Sequence, residues 1–284
     1  MDTSDLTGRT VVVTGAGSGI GRETALAFAR RGADLVVCDV NEAASARTAD
    51  DIRALGRKAA GHAVDVADAA RMRAFADVVH AEVDAIDVLV NNAGVGLGAT
   101  FLDTTLEDWG WIIGINLLGV VHGCHFFVPK MAARGRGGHV VNVASAAGYV
   151  ASAGLSAYST TKFAVVGLSE ALREELAPSG IGVTAVCPGI INTPITEAAR
   201  LRGKAALPGA REQMVEFYRR RDYGPELVAE KILKAVARNA ALAPVTPEAW
   251  AMYFLKRLSP RLMVWLNRRI AERFERRLQA RRVP

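Results

Sequence analysis

Cysteine is scarce in this sequence, and the few cysteines present are not placed to work together. Cys38, Cys124 and Cys187 are the only three in 284 residues, and no two of them form a Cys-x-x-Cys pair. An odd number of widely spaced cysteines argues against a disulfide framework and against a zinc site. The five histidines have no metal-like partner set either. We therefore predict a protein without a metal, in a reducing, cytoplasmic compartment.

Long apolar runs are also missing. The sequence has no run of about 18 apolar residues, so we expect no membrane-spanning helix. The N-terminal residues 1–9 are polar and lack the pattern of a signal peptide. Half of the residues are nevertheless hydrophobic, which is enough for a sizeable core and argues against intrinsic disorder. This length and composition suit one large domain.

Excess charge is absent from most of the chain. Residues 251–284 hold ten basic and two acidic residues, a net charge of +8 against +6 for the whole protein. The other 250 residues therefore carry a net charge of −2. The excess of positive charge lies in one C-terminal segment. The rest of the chain lacks the positive charge that is typical of nucleic-acid-binding proteins.

Short apolar segments alternate with longer amphipathic segments along the chain. The predicted strands are 10–13, 35–38, 59–64, 86–90, 139–143, 183–186 and 242–245. The predicted helices are 22–31, 41–55, 69–83, 105–133, 155–177 and 225–239. Apolar strands that alternate with helices indicate an α/β fold, a doubly wound parallel sheet of the Rossmann-like kind with helices on both faces.

A glycine-rich turn joins the first predicted strand to the first helix, with the spacing Gly15-x-Gly17-x-Gly19-x-Gly21. Glycines let a backbone approach a pyrophosphate closely, and the following helix offers its positive N-terminal end. Asp39 ends the second strand, where a carboxylate binds ribose hydroxyls and repels a 2′-phosphate. Since neither position 18 nor position 40 is basic, NAD is favoured over NADP. The alternatives are a tight structural turn and a helix-capping aspartate.

Tyr158 and Lys162 lie four residues apart in a predicted helix, on one face and one turn from each other. An ammonium group favours a nearby phenolate, so we expect the pKa of Tyr158 to fall below its usual value of ~10. A tyrosine of this kind exchanges protons near neutral pH. The alternative is a surface tyrosine beside a solvated lysine.

Taken together, these residues resemble the short-chain dehydrogenase/reductase family, of the common single-domain type, over roughly residues 6–240. The residues that carry the resemblance are Thr14, Gly15, Gly19, Gly21, Asp65, Asn91, Asn92, Ala93, Gly94, Asn116, Ser145, Tyr158, Lys162, Pro188, Gly189, Ile191 and Thr193. The sequence is also similar to the dehydrogenase domain that is fused to epoxide-hydrolase-like domains in some actinobacterial proteins.

The resemblance implies catalytic roles for four residues. Tyr158 would exchange the proton with the substrate oxygen, and Ser145 would hydrogen-bond that oxygen. Lys162 would lower the pKa of Tyr158 and hold the nicotinamide ribose, and Asn116 would anchor a water that relays protons to Lys162. The activity implied is NAD-dependent interconversion of an alcohol and a ketone or aldehyde. The alternative is an NAD-binding or membrane-peripheral sensor protein without catalysis.

The resemblance also implies a cofactor site and an assembly. The cofactor-binding residues would be Gly15, Ser18, Gly19, Ile20, Gly21, Asp39, Asp65, Val66, Asn92, Ala93, Gly94, Tyr158, Lys162, Pro188, Gly189, Ile191 and Thr193. The family usually forms dimers or tetramers through its two long central helices, here 105–133 and 155–177. We therefore expect a dehydrogenase domain over 1–246, as a homo-oligomer.

Two regions are particular to this chain. Residues 190–223 form a candidate substrate lid, and the small apolar residues of 146–155 suggest a roomy pocket for a hydrophobic alcohol or ketone. Residues 247–284 form a helical extension in which Leu262, Leu266, Ile270, Phe274 and Leu278 recur every fourth residue among arginines. Such a helix either lies on an anionic membrane or packs on its own domain or a second subunit.

Overall fold

The computed structural model describes residues 1–280, apart from the side chains of 270, 271 and 273–280. A parallel sheet of seven strands, in the order β3-β2-β1-β4-β6-β7-β9, forms its centre. These strands are β1 (Thr10–Thr14), β2 (Asp34–Asp39), β3 (Ala59–Ala63), β4 (Val88–Asn91), β6 (Gly138–Val143), β7 (Ile181–Cys187) and β9 (Leu242–Pro244). A separate parallel pair consists of β5 (Leu97–Gly98) and β8 (Arg200–Leu201). The predicted fold class is confirmed.

Helices cover both faces of the sheet. The helices of the first half are α1 (Gly19–Arg30), α2 (Glu42–Ala54), α3 (Ala69–Glu82), α4 (Leu106–Ile113) and α5 (Gly119–Arg134). The helices of the second half are α6 (Ser156–Leu176), α7 (Ile195–Ala198), α8 (Ala210–Arg221), α9 (Pro225–Ala237), α10 (Pro247–Leu258) and α11 (Pro260–Ala280).

The inner strands are continuous apolar runs because both of their faces are buried, whereas the edge strand β3 is only half-buried. In β1, Val12 joins the core cluster on one face, while Val11 and Val13 join the cluster on the other face. All three side chains are completely buried. Phe75 and Phe127 extend the first cluster, which lies under α3 and α5. This two-sided burial is what a doubly wound sheet requires.

The strand order reverses beside β1, and this reversal positions the site. The chain runs from β1 outward through β2 to β3, then crosses back to place β4 on the other side of β1. Because β1 and β4 are parallel neighbours, the turns that follow them lie side by side at the carboxyl ends of the strands. A crevice at such a point is where doubly wound folds bind ligands.

The helix predicted over 105–133 is interrupted. A π-turn at Gly114–Leu118 separates α4 from α5 and contains the buried Asn116. The stretch Leu106–Arg134 is also long and apolar enough to cross a membrane, by length and composition alone. No such helix is expected from the sequence, because it has no run of about 18 apolar residues. Val120 and Met131 nevertheless pack in the main core, as expected of a core helix.

The C-terminal extension packs partly on the domain. The hydroxyl of Tyr149 donates to the carbonyl oxygen of Ala249 at 2.7 Å, and the amide of Asn267 donates to the carbonyl oxygen of Ala151 at 2.9 Å. Met263 is buried in the main core. Of the predicted apolar row, Leu262 and Leu266 are described, whereas the side chains of Ile270, Phe274 and Leu278 lie outside the described residues.

Candidate active site

The glycine turn is held against the turn that follows β4. Gly15 has a positive φ of 62°, and a Cβ built on it would lie only 2.6 Å from the Cα of Ala93. The Asn92 amide donates to the carbonyl oxygens of Thr14 and Gly15, at 3.0 and 2.9 Å. A Cβ on Gly21 would overlap both Gly15 and Asn92. Gly15 and Gly21 are therefore required by close packing as well as by any ligand.

The start of α1 is open toward the crevice. Within the described residues, Ser18 makes no side-chain capping hydrogen bond at the N-cap, and the first turn of α1 contains no acidic residue. The N–H groups of Gly19 and Ile20 at this positive helix end suit a pyrophosphate. Thr193 lies beside them, since a Cβ on Gly19 would be 3.4 Å from that of Thr193.

Asp39 occupies the position expected for ribose recognition. Its carboxylate accepts hydrogen bonds from the N–H groups of Gly17 and Asn41, both at 2.9 Å. A Cβ on Gly17 would lie 2.8 Å from this carboxylate, so only glycine leaves the carboxylate accessible from the turn. The neighbouring Val40 is 74% exposed and places an uncharged side chain at the rim.

Asp65 and Val66 follow β3 at the same edge. The carboxylate of Asp65 accepts from the N–H of Ala67 at 2.9 Å and shapes the turn. Val66 is buried, and its Cγ2 lies where a Cβ on Gly119 would approach to 2.7 Å. The side chain of Val66 therefore packs against α5, and its carbonyl oxygen lies 2.8 Å from Nδ1 of His122 on the same helix.

The catalytic candidates come from three elements that meet beyond the carboxyl end of β6. Ser145 follows β6, and its hydroxyl accepts from the N–H of Ala147 at 3.1 Å. Tyr158 and Lys162 lie on α6, with the Lys162 ammonium 5.8 Å from the centroid of the Tyr158 ring. A Cβ on Gly94 would lie 3.5 Å from that ammonium, so the turn after β4 borders the same space.

The expected direction of the Tyr158 pKa is wrong for this structure. Burial raises the pKa of Tyr158 to about 12, although hydrogen bonding to Ser145 acts in the opposite direction. Burial makes the positive charge of Lys162 costly and therefore lowers the pKa of Lys162 to about 8. The ammonium donates to the carbonyl oxygen of Val143 at 2.9 Å. Desolvation of the phenol is the largest cause of its raised pKa, and Tyr218 and Cys187 act in the same direction.

Asn116 is fully buried beneath this group. Its Oδ1 accepts from the N–H of Val95 at 2.8 Å, and its Nδ2 donates to the carbonyl oxygen of Val95 at 3.0 Å. A further bond of 3.3 Å runs to the hydroxyl of Thr161 on α6. The Asn116 side chain therefore ties the segment after β4 to the helix that carries Tyr158 and Lys162.

The turn after β7 closes the remaining side of the crevice. The carbonyl oxygen of Pro188 accepts from the N–H of Ala146 at 2.8 Å, which places this turn beside Ser145. A Cβ on Gly189 would overlap the hydroxyl of Thr246, so Gly189 allows the C-terminal segment to approach. The side chain of Ile191 is buried in the second core cluster.

The apolar surroundings of Tyr158 come from segments that sequence reasoning missed. Tyr158 packs against a buried cluster that contains Leu97, Ala99, Ile112 and Ala157, with Val95, Trp109 and Trp111 around it. Within the predicted pocket segment 146–155, by contrast, Ala146, Tyr149 and Val150 belong to the main core. The alternation of apolar and polar residues near 95–112 was the available signal, but it does not reveal which residues face Tyr158.

The candidate lid, 190–223, reaches the site and is fastened to it. Tyr218 on α8 lies near enough to Tyr158 to contribute to its raised pKa. Arg202 donates two hydrogen bonds of 2.9 Å to the buried carboxylate of Asp108, and Arg200 donates a third at 3.3 Å. These hydrogen bonds hold the pKa of Asp108 down at about 2. The lid is therefore anchored to α4 through a charged pair that the sequence did not indicate.

These features define a class of protein, a single-domain α/β oxidoreductase with a dinucleotide turn and a Ser-Tyr-Lys group at one crevice. The family model described as "short chain dehydrogenase" matches residues 9–203. The chain belongs to the short chain dehydrogenase family, and the resemblance expected from the motifs is confirmed.

Two curated relatives of the chain are also named as an oxidoreductase and a dehydrogenase. The chain is 44% identical over 257 residues to the probable oxidoreductase EphD of Mycobacterium tuberculosis (strain ATCC 25618 / H37Rv). This alignment covers 89% of the chain. The chain spans only 43% of that relative's length, so the similarity concerns one part of a longer protein. It is also 37% identical over 251 residues to the C alpha-dehydrogenase of Sphingobium sp. (strain NBRC 103272 / SYK-6), covering 86% of this chain and 82% of the relative.

A solved structure supports the cofactor. A short chain dehydrogenase/reductase from Burkholderia phymatum in complex with NAD superimposes with a TM-score of 0.83 at 35% identity. The match covers 92% of this chain and 96% of that chain. The open helix end and the Asp39 carboxylate of this chain fit a dinucleotide of this kind.

Proposed function

We propose that this protein interconverts an apolar secondary alcohol and its ketone, or an alcohol and its aldehyde, with NAD as the hydride carrier. One observation carries the proposal. Ser145, Tyr158 and Lys162 lie close together beside Gly94, at the carboxyl ends of the strands, where the glycine turn also lies. A phenol, a hydroxyl and an ammonium at one point can orient a substrate oxygen and move its proton.

Tyr158 would exchange the proton. In alcohol oxidation the substrate hydroxyl loses its proton to the ionised Tyr158 oxygen, while the carbon loses a hydride and becomes a carbonyl carbon. In ketone reduction Tyr158 donates that proton to the oxygen as the carbon gains the hydride. Ser145 would donate a hydrogen bond to the substrate oxygen and so stabilise its developing negative charge.

Lys162 would favour the ionised form of Tyr158. Its ammonium is buried, and its hydrogen bond to Val143 keeps it beneath the phenol. The pKa of Tyr158, raised by burial to about 12, must fall for proton exchange at neutral pH, and the fixed Lys162 ammonium is the cation placed to lower it. Asn116 would keep Val95 and α6 in register, and we propose that it also anchors the water that relays protons to Lys162.

NAD supplies the hydride acceptor when it is bound. Gly15, Gly17, Gly19 and the N–H groups at the start of α1 would hold the pyrophosphate, and Asp39 the adenosine ribose. The remaining contacts would come from Ser18, Ile20, Gly21, Asp65, Val66, Asn92, Ala93, Gly94, Pro188, Gly189, Ile191 and Thr193. Lys162 would hydrogen-bond the nicotinamide ribose.

The substrate is proposed to be apolar. The residues packed around Tyr158 are mostly hydrophobic, including Leu97, Trp111 and Ile112. Tyr218 approaches from the lid on α8. Surroundings of this kind would desolvate a carbinol and its hydrocarbon substituents without offering partners to further hydroxyl groups.

The experiment is an NAD-coupled activity screen with purified protein. It compares apolar carbinols, namely steroids, retinoids, long-chain carbinols and terpenoid alcohols, with small polyols. The proposal expects NADH formation with at least one apolar class and negligible turnover of polyols. Polyols turned over best would refute the apolar substrate, and protein that binds NADH but oxidises nothing would favour the non-catalytic sensor.

We also propose an oligomeric state, a cellular location and domain boundaries for the protein. We propose a homodimer or homotetramer, supported by Leu118, Val121 and Phe163, which stay exposed on the two long central helices. A cytoplasmic location is supported by three free, buried cysteines. We place the dehydrogenase domain at 1–246 and the extension at 247–284, supported by the start of α10 at Pro247, after the Thr246 cap.

A further inference from the structure

The C-terminal helices leave an unusual set of side chains in water. Ala249, Met252, Tyr253 and Leu255 of α10 pack on the main core. The opposite side of α10 and the start of α11 expose large apolar side chains, which we call the C-terminal apolar surface. Its residues are Trp250 (39% exposed), Phe254 (51%), Leu258 (83%), Leu262 (43%) and Trp265 (53%).

This surface is an ordered feature of the two helices. Trp250, Phe254 and Leu258 are spaced by four residues and so lie along one side of α10. The rings of Trp250 and Phe254 stack with centroids 5.6 Å apart. On α11 the guanidinium of Arg269 lies 5.5 Å from the centroid of Trp265. Helices that carry tryptophan, phenylalanine and leucine together with arginine are typical of segments that lie in a membrane interface.

The charge around the surface is mainly positive. Glu248 and Glu272 flank it, and Glu272 pairs with Arg268 at 3.3 Å and with Arg269 at 3.8 Å. From residue 249 to residue 271 the sequence contains five basic residues and no acidic residue. The basic residues are Lys256, Arg257, Arg261, Arg268 and Arg269. Such a patch attracts an anionic partner within a Debye length.

The same charge argues against a second copy of this chain as the occupant. A two-fold interface brings the same patch of each subunit together, so the net positive charge of one copy would face that of the other. Like charges opposed across an interface disfavour association. An anionic bilayer satisfies both observations, because its headgroups attract the arginines and its acyl boundary accepts the tryptophans, Phe254 and the leucines.

We propose that the C-terminal apolar surface docks on an anionic lipid bilayer. The helices that carry it are tied to the active site, since Tyr149 and Ala151, which follow Ser145, hydrogen-bond to Ala249 and Asn267. Glu248 at the start of α10 also pairs with Arg221 at the end of the lid helix α8, at 3.6 Å. Docking would hold the crevice near the bilayer. It does not depend on the proposed reaction.

Vesicle co-sedimentation of the full chain tests the docking. Phosphatidylcholine vesicles are compared with vesicles that also contain phosphatidylglycerol, at low and high salt. We expect the protein to sediment with the anionic vesicles and to be released as the salt rises. Failure to bind anionic vesicles at low salt would overturn the proposal, whatever the outcome of activity assays.

Two pairs of variants locate the contact. Arg261→Gln with Arg268→Gln should weaken partitioning about 25-fold, since each basic residue contributes roughly fivefold. Its control, Arg47→Gln with Arg136→Gln, removes two exposed arginines elsewhere and should change partitioning little. Equal losses in the two pairs would contradict a localised contact.

The second pair concerns the apolar contact. Leu258→Ser with Trp265→Ser should also reduce vesicle binding, and its control is Leu102→Ser with Leu106→Ser, at positions 94% and 89% exposed. These side chains are exposed, so circular dichroism should report an unchanged fold. Unchanged vesicle binding together with a lower oligomer mass in sedimentation velocity would make the surface a subunit interface and overturn the proposal.

Discussion

The ammonium nitrogen of Lys162 donates a hydrogen bond to the carbonyl oxygen of Val143 at 2.9 Å. Val143 is the last residue of β6, and Ser145 follows it by two positions. This bond therefore fixes the helix of Tyr158 and Lys162 against the strand that presents Ser145. A compact ammonium group with several donors can keep this bond while turning another N–H toward a ligand.

Lys162→Arg tests the need for a compact donor. Arginine keeps the charge, but its planar group does not fit the buried position of the lysine ammonium. We expect kcat/KM to fall about 100-fold or more, the scale of a lost acid/base contribution. The control is Lys130→Arg on the exposed side of α5, which should behave as wild type. Near-normal turnover of the Lys162 variant in steady-state assays would contradict its dual role.

Lys162 also makes stability depend on pH. Burial lowers its pKa from 10.5 to about 8, so the unfolded chain binds more protons between these two values. The free energy of unfolding should therefore rise with pH across that window on account of this residue. Buried Cys38, Cys124 and Cys187, each with a pKa raised to about 12, act oppositely above pH 9.0.

The measurement is thus a difference between wild type and Lys162→Met in urea unfolding as a function of pH. The variant should be the more stable protein near neutral pH, and its advantage should shrink by about 2 kcal/mol as the pH approaches 10. The cysteine contributions are common to both proteins and cancel. Parallel pH profiles of the two proteins would show that Lys162 is not desolvated.

Asp39 should govern the choice between NAD and NADP. Asp39→Ala removes a charged acceptor of ribose hydroxyls, so kcat/KM with NAD should fall roughly 10- to 100-fold. Adding Val40→Arg, at the exposed neighbouring position, should raise the relative use of NADP further. Asp77→Ala on the exposed surface of α3 is the control. An unchanged ratio of kcat/KM between the two cofactors would exclude this role for Asp39.

The Asp108–Arg202 pair should act on the substrate rather than on the cofactor. Asp108→Asn weakens both hydrogen bonds from Arg202 and loosens the lid, so KM for the alcohol should rise roughly tenfold. The dissociation constant for NADH, measured by fluorescence, should change little. Glu216→Gln removes the exposed pair with Arg220 on α8 and should leave both constants unchanged. An equal loss of NADH affinity in Asp108→Asn would mean general unfolding of the crevice.

The strands and most helices could be predicted because they leave local patterns. The strand at Ile181–Cys187, for example, is buried throughout and apolar except for Thr184, and the prediction of 183–186 falls inside it. The π-turn at Gly114–Leu118 leaves no such pattern, since it shifts the helical register without a proline and with Asn116 as its single polar residue. The pair β5–β8 has only two residues in each strand, too few for any period to appear.

The candidate site shows the same division. Gly15, Asp39, Ser145, Tyr158 and Lys162 could be named because each follows a strand or shares a helix turn. The direction of the Tyr158 pKa was wrong because neighbours in sequence reveal the charge of Lys162 but not the burial of both groups. The contact of Asp108 with Arg202 joins residues 94 positions apart, which no local pattern encodes.

The most direct test of the account is the rate of NADH formation from an apolar secondary alcohol by wild type and by Tyr158→Phe. The variant keeps the ring that packs on Leu97 and Ile112 but lacks the oxygen that accepts the proton. We predict that kcat falls by about 100- to 10,000-fold while NADH affinity is retained. Turnover by the variant within a few-fold of wild type would contradict the assignment of Tyr158 as the acid/base group.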